Sequence, residues 1–189
     1  AADALGHAYL FYGTRGTGKI TAARILAKIA CCMKRAEDSK FLKTGEPCNK
    51  CQACTEIDAG RGIDVVEIDA ASNNKVEQIR ELIEGVRTAP TSYKYKVIIL
   101  DEVHMLALSR GSFHALLKTL EEPPAHAMFI LATTEYDKVP ATIMSRCQRF
   151  HFQKLPISII AEKLTGITKE EKISADTGAI EMIAALADG

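Results

Sequence analysis

Four near-continuous apolar runs, at residues 7–12, 65–68, 97–100 and 128–132, alternate with stretches whose apolar residues recur at helical spacing. A strand that is apolar on both sides of its pleat must be covered on both faces. Amphipathic helices supply that cover when each crosses back, right-handed, over a parallel sheet. The chain therefore reads as α/β. Its helical stripes run from Lys19 to about Cys32, from Val76 through Leu82 and Val86 towards Pro90, and through Phe113, Leu116, Leu117 and Leu120. Beyond Phe152 only helical spacing persists, in Ile159, Ile160 and Leu164 and again in Ile180, Ile183 and Leu186, so a small helical domain is expected to begin near Pro156. Residues 1–155 form the first expected unit and 156–189 the truncated start of the second; both ends are expected to be cuts inside a longer protein. Twenty-four basic residues balance 24 acidic ones, so no bulk field draws the chain to nucleic acid or to a charged membrane. No apolar run approaches the roughly 18 residues needed to cross a bilayer, and a cytoplasmic location is expected.

Between the first apolar run and the first helical stripe lies Gly13-Thr14-Arg15-Gly16-Thr17-Gly18-Lys19. It fits the pattern G-x-x-x-x-G-K-[ST] up to the lysine, in the strand–loop–helix setting that the pattern requires. The glycines let main-chain N–H groups turn inward around phosphate oxygens, the helix start adds its positive dipole end, and Lys19 reaches the terminal phosphates of ATP. The next position departs: Ile20 stands where a hydroxyl would ligate Mg2+. Thr21 follows, but one helical step is a rotation of about 100°, which turns it elsewhere, towards an α-phosphate. Nucleotide binding is expected to survive, and Mg2+-dependent turnover to be lowered.

Asp101 and Glu102 close the third apolar run, which places two carboxylates at the C-terminal edge of the sheet beside the phosphate loop. Asp101 is suited to hold Mg2+ through water, and Glu102 to orient or deprotonate an attacking water. His104, slightly further on, could serve as a proton carrier but reads better as a surface or packing histidine.

From about residue 31 to 54 the helical periodicity gives way to cysteines. Cys48-x2-Cys51-x2-Cys54 offers three thiolates, and a fourth is available from Cys32, with Cys31 as the alternative. Four thiolates make a closed structural zinc site. An iron–sulfur cluster would more often show a fourth cysteine followed by proline, and a disulfide set is out of place in a cytosolic ATPase. Zn2+ would then order an insertion with too few apolar residues to order itself. Cys147 stands apart and reads as a buried free thiol.

Together these residues resemble one family, the gamma/tau subunits of bacterial DNA polymerase III, the AAA+ ATPase subunits of the sliding-clamp loader. The likeness rests on His7-Ala8-Tyr9-Leu10-Phe11, the phosphate loop, the Cys48/Cys51/Cys54 cluster and Glu67-Ile68-Asp69-Ala70-Ala71-Ser72-Asn73. It extends to Asp101-Glu102-Val103-His104-Met105-Leu106 and Ala115-Leu116-Leu117-Lys118-Thr119-Leu120-Glu121-Glu122-Pro123-Pro124. The resemblance implies a P-loop NTPase fold carrying a zinc insertion and a helical lid. It also implies a ring of loader subunits, hetero- or homo-oligomeric, that uses ATP to place a sliding clamp on primed DNA. Thr133 or Thr134, with Thr134 the better match, corresponds to the family's sensor for the γ-phosphate. Arg146, in Ser145-Arg146-Cys147, corresponds to an arginine finger that enters the neighbouring subunit's ATP site; an Arg supplied in trans stabilises phosphoryl charge and makes hydrolysis depend on assembly. The link Ala107-Leu108-Ser109 is about two residues longer than the family's usual one. The family's adenine-holding segment is expected before Ala1 and its second sensor arginine after Gly189. No carboxylate set for deoxynucleotide addition is visible, so a polymerase label would follow from membership of the complex. Two other readings compete. A scaffold subunit that binds nucleotide poorly is favoured by Ile20, whereas a branch-migration motor of the same superfamily is opposed by the cysteine insertion and by Glu121-Glu122-Pro123-Pro124.

Overall fold

The computed structural model describes residues 5–72, 76–108 and 110–187. Along the chain lie β1 (Ala8–Gly13), α1 (Lys19–Cys31), α2 (Met33–Glu37), α3 (Ser39–Leu42), α4 (Gln52–Asp58), β2 (Val65–Asp69), α5 (Val76–Gly85) and β3 (Lys96–Asp101). A 3-10 turn (Val103–Leu108), α6 (Arg110–Glu121), β4 (Ala127–Thr133), a second 3-10 turn (Tyr136–Lys138), α7 (Ala141–Met144), β5 (Gln148–Phe152), α8 (Ile157–Glu170) and α9 (Thr177–Leu186) follow. The strands form one parallel sheet in the order β2-β3-β4-β1-β5. Because β1 lies between β4 and β5, the loop that leaves β1 opens beside the ends of β4 and β3, where a parallel sheet places its ligands.

Successive residues of a strand point to opposite faces, and both faces here are covered. Leu10, Ile98, Leu100, Phe129 and Leu131 pack with Ile83 of α5 and Leu116 and Leu120 of α6. Tyr9, Phe11, Val97, Ile99, Met128 and Ile130 pack on the other side with Ala23, Ala27 and Ala30 of α1. Small residues on α1 allow a close approach to the sheet. Every residue of β4 is buried, so truncating Phe129 to alanine at its centre would cost roughly 3–5 kcal/mol.

Three local features differ from the periodicity reading. β5 was not legible: Gln148, Arg149, Phe150 and His151 are exposed, because an edge strand pairs on one side only and needs no continuous apolar run. The stripe expected to reach Pro90 stops at Gly85, where Lys96 Nζ caps the Gly85 carbonyl at 3.0 Å. The cysteine insertion is not held by its thiols alone, since Ala53 and Ile57 of α4 bury themselves in the cluster around α1. Of the longer link at 107–109, residues 107 and 108 close the first 3-10 turn, and Ser109 lies outside the described residues.

Asp64, just before β2, fixes the lateral alignment of the sheet's far side. Its carboxylate accepts main-chain N–H bonds from Thr91, Ser92 and Tyr93, at 2.6–3.0 Å, and its carbonyl accepts the Val97 N–H at 2.7 Å. β2 and β3 then run in a register that sets Asp69 beside Asp101. α8 and α9 pack on one another through residues such as Ile180 and Ala184, while Met182 and Leu186 remain exposed. No described helix is long and apolar enough to cross a membrane.

Candidate nucleotide site and cysteine centre

The loop after β1 wraps a hollow of about 790 Å3 at the C-terminal edge of the sheet. Gly16 and Gly18 take φ of 83° and 90°, the left-handed region that suits glycine, and this lets the loop curl without a side chain entering the hollow. Gly18 then passes directly into α1, whose first residue is Lys19. Gly13, with φ 148°, lies against β5: a Cβ there would meet the Phe152 carbonyl oxygen at 2.1 Å. Thr17 braces the loop by donating from Oγ1 to the Thr14 carbonyl at 2.8 Å. Neither Gly13 nor Thr17 borders the hollow; Thr14, Arg15, Gly16, Gly18, Lys19, Ile20 and Thr21 do.

Across from the loop stand the strand ends: Asp69 from β2, Asp101 and Glu102 from β3 and Thr134 after β4. Lys19 is buried, and its ammonium donates to the carbonyls of Gly13 at 2.9 Å and Thr14 at 2.7 Å. Burial lowers the Lys19 pKa, against the pull of Glu102 and Asp101. Burial raises that of Asp101, helped by the charges of Glu102 and Asp69 and opposed by Lys19. Asp101 and Glu102 both pull on the Lys19 ammonium, and Asp69 adds its charge beside Asp101, a grouping of hard oxygen donors that suits a hard cation. Asp69 is the residue that the motif reading had not assigned a role. Its signal was there to find, since it ends the second parallel strand as Asp101 ends the third.

Thr134, and not Thr133, borders the hollow. Its N–H and hydroxyl both donate to the Glu102 carboxylate, at 2.9–3.0 Å, while Glu102 adopts a positive φ of 49°. Thr133 turns inward to His104, with Oγ1 2.9 Å from Nδ1. His104, read as a surface or packing histidine, is buried and not at the surface: its side chain is 7% exposed and its ring lies among polar groups. Ile20 borders the hollow where the pattern would put a hydroxyl, and Thr21 reaches the rim as well. Arg146 lies beyond the C-terminal end of α7, away from this hollow, and donates to Glu121 Oε1 at 2.6 Å and to the Thr142 carbonyl at 2.5 Å.

At the far end of α1 the sulfur atoms of Cys32, Cys48, Cys51 and Cys54 all lie within 4.8 Å of one another. Zn–S bonds of about 2.3 Å in a tetrahedron put sulfurs about 3.8 Å apart. Cys48 and Cys54 are separated by 3.9 Å and Cys32 and Cys51 by 4.0 Å, so the cage is compatible with a zinc site. The N–H of Cys51 points at the Cys48 sulfur at 3.2 Å and the N–H of Cys48 at the Cys32 sulfur at 3.5 Å, bonds that suit thiolate ligands. Cys31 faces the other way, to the Tyr95 carbonyl, and burial pushes its thiol up to about 12. Cys147 is half-buried with its thiol raised by burial to about 11, a free thiol as expected. Lys28 of α1 ties this centre to the phosphate-loop helix through Asn49 Oδ1 at 2.8 Å and Asp58 at 2.9 Å.

A family model described as DNA polymerase III, delta subunit, matches residues 1–156. The chain belongs to this DNA polymerase III subunit family. DNA polymerase III subunit tau of Bacillus subtilis is 51% identical over 97% of this chain and 31% of its own length. Subunit tau of Escherichia coli is 49% identical over 97% of this chain and 27% of its own. Subunit gamma of Buchnera aphidicola subsp. Baizongia pistaciae is 44% identical over 97% of this chain and 47% of its own length. The chain thus spans between about a quarter and a half of these relatives, and the gamma/tau resemblance read from its motifs is borne out. Among solved structures, a gamma subunit-related protein from Thermotoga maritima superposes with a TM-score of 0.53 at 19% identity, covering 90% of this chain and 50% of that one, a likeness of fold.

Proposed function

We propose that this chain is the nucleotide-binding part of a clamp-loader subunit, an AAA+ ATPase that converts ATP binding and hydrolysis into a change of assembly. One observation carries this reading: Lys19 and the glycine loop face Asp101, Glu102 and Thr134 across a single hollow. In this reading the main-chain N–H groups of the loop residues that border the hollow, Thr14, Arg15, Gly16 and Gly18, cradle the phosphates, and Lys19 exchanges its two carbonyl partners for phosphate oxygens. Mg2+ would neutralise phosphate charge, with Asp101, and Asp69 beside it, to hold its water shell. Glu102 orients the attacking water and takes its proton as the new oxygen–phosphorus bond forms and the bond to the leaving ADP breaks. Thr134 links Glu102 to the γ-phosphate position, and Arg146 serves the site of a neighbouring subunit.

Residues 1–155 would form the nucleotide-binding unit, with the zinc module at about 31–54, and 156–189 the start of a helical lid. Cys32, Cys48, Cys51 and Cys54 would hold Zn2+ as a structural ion. The partners are other loader subunits, a sliding clamp and primed DNA reached through the assembly, in the cytoplasm. A nucleotide titration with and without Mg2+, followed by turnover in the assembled ring, tests the motor. Absence of nucleotide binding would leave the scaffold reading, which Ile20 at the wall of the hollow favours.

A further inference from the structure

Consecutive residues at and just after the end of β4 meet Glu102 and His104, the first and third residues after β3. Thr134 grips Glu102 through N–H and hydroxyl. Thr133 Oγ1 lies 2.9 Å from His104 Nδ1, and Glu135 Oε1 lies 3.3 Å from His104 Nε2. His104 Nδ1 in turn lies 3.4 Å from Glu102 Oε2, the same oxygen that accepts the Thr134 N–H. The ring is thus held at both nitrogens. Thr133 Oγ1 already accepts the Glu135 N–H at 3.1 Å, which fixes the hydroxyl as well, and Lys138 answers the Glu135 charge at 2.5 Å. The His104 side chain is only 7% exposed, so a swing of its ring would take its nitrogens from these partners with little water to replace them, although Glu135 and Lys138 themselves stand at the surface.

We propose that His104 is a positioning residue for Glu102: locked by Thr133 and Glu135, it sets through Nδ1 the orientation of the carboxylate that Thr134 grips from the neighbouring strand end. This rests on the reading of Glu102 as the group that directs water at the γ-phosphate. His104 touches no substrate; it acts through Glu102, so its loss should lower turnover and leave nucleotide binding intact.

Asparagine places an amide nitrogen near the position of Nδ1, and glutamine near that of Nε2, so the two variants separate the Glu102 arm from the Glu135 arm. The full chain in its loader assembly would be compared as parent, His104→Ala, His104→Asn and His104→Gln, for kcat, KM and binding of a fluorescent ATP analogue. Alanine is expected to lower kcat about tenfold to a hundredfold with KM and analogue affinity within about twofold. Asparagine is expected to recover most of kcat and glutamine not. Recovery by glutamine alone, equal recovery by both, or an alanine variant as active as the parent would overturn the assignment. If the alanine variant does not fold, the contrast between asparagine and glutamine decides. A parent that binds nucleotide without turnover in the assembly would instead remove the ATPase reading, and this role with it.

Discussion

Replacing Asp64 by alanine removes the acceptor of three main-chain N–H groups at Thr91, Ser92 and Tyr93. A hydrogen bond to a charged acceptor is worth about 1.5 kcal/mol at the lower end, which sums to roughly 4.5 kcal/mol for three. Thr91 and Ser92 are exposed, so their N–H groups can turn to water, and the net loss settles at about 3 kcal/mol. For a chain of this size that lowers the Tm by about 6–12 °C. Asp64→Asn keeps one acceptor oxygen and should cost about half as much. Burial works to raise the Asp64 pKa, but the N–H donors of Thr91, Ser92 and Tyr93, together with Lys96, hold it below the usual carboxylate value. A group whose folded pKa is depressed adds stability above its unfolded pKa of about 3.9 and loses it as the pH falls through the folded value. The gap between the parent and Asp64→Asn should therefore be constant from about pH 6 to 8 and close on acidification below about pH 4. Far-UV circular dichroism suits the measurement, because the chain has no tryptophan. An alanine variant melting within about 2 °C of the parent at neutral pH would refute the reasoning, since water would then serve those N–H groups equally well.

Metal analysis of purified protein should find zinc at about one ion per chain, lost in Cys32→Ser and retained in Cys31→Ser, because only Cys32 faces the other three sulfurs. Ile20→Thr restores a hydroxyl at the wall of the hollow and should raise Mg2+-dependent ATPase activity by about twofold or more; no gain would show that Ile20 does not limit turnover. Arg146→Ala in a mixed assembly should cut hydrolysis at the adjoining site by about a thousandfold while leaving binding of ATP by the mutated subunit in place, and normal turnover would remove its role in trans.

Among the strands, periodicity revealed those whose side chains must be covered on both faces. β1, β3 and β4 are buried almost throughout, and such strands have little freedom in composition. β5 escaped because its outer edge pairs with nothing among the described residues, so exposed Gln148 and Arg149 are tolerated there. α4 escaped because its apolar contribution is small and partly cysteine; Ala53 and Ile57 acquire meaning only once α1 is seen beside them.

The site divides in the same way. Gly13 to Lys19, the carboxylates after β3 and the spacing of Cys48, Cys51 and Cys54 were legible from the chain alone, because phosphate cradling and thiolate ligation demand particular residues a few positions apart. The inward turn of Thr133 to His104 and the exclusion of Cys31 from the sulfur cage were not, since each depends on residues far apart in sequence being brought within bonding distance by strand order and helix phase. Local chemistry is written in neighbouring residues; which distant groups share a charge or a proton is settled only when the sheet has set its register.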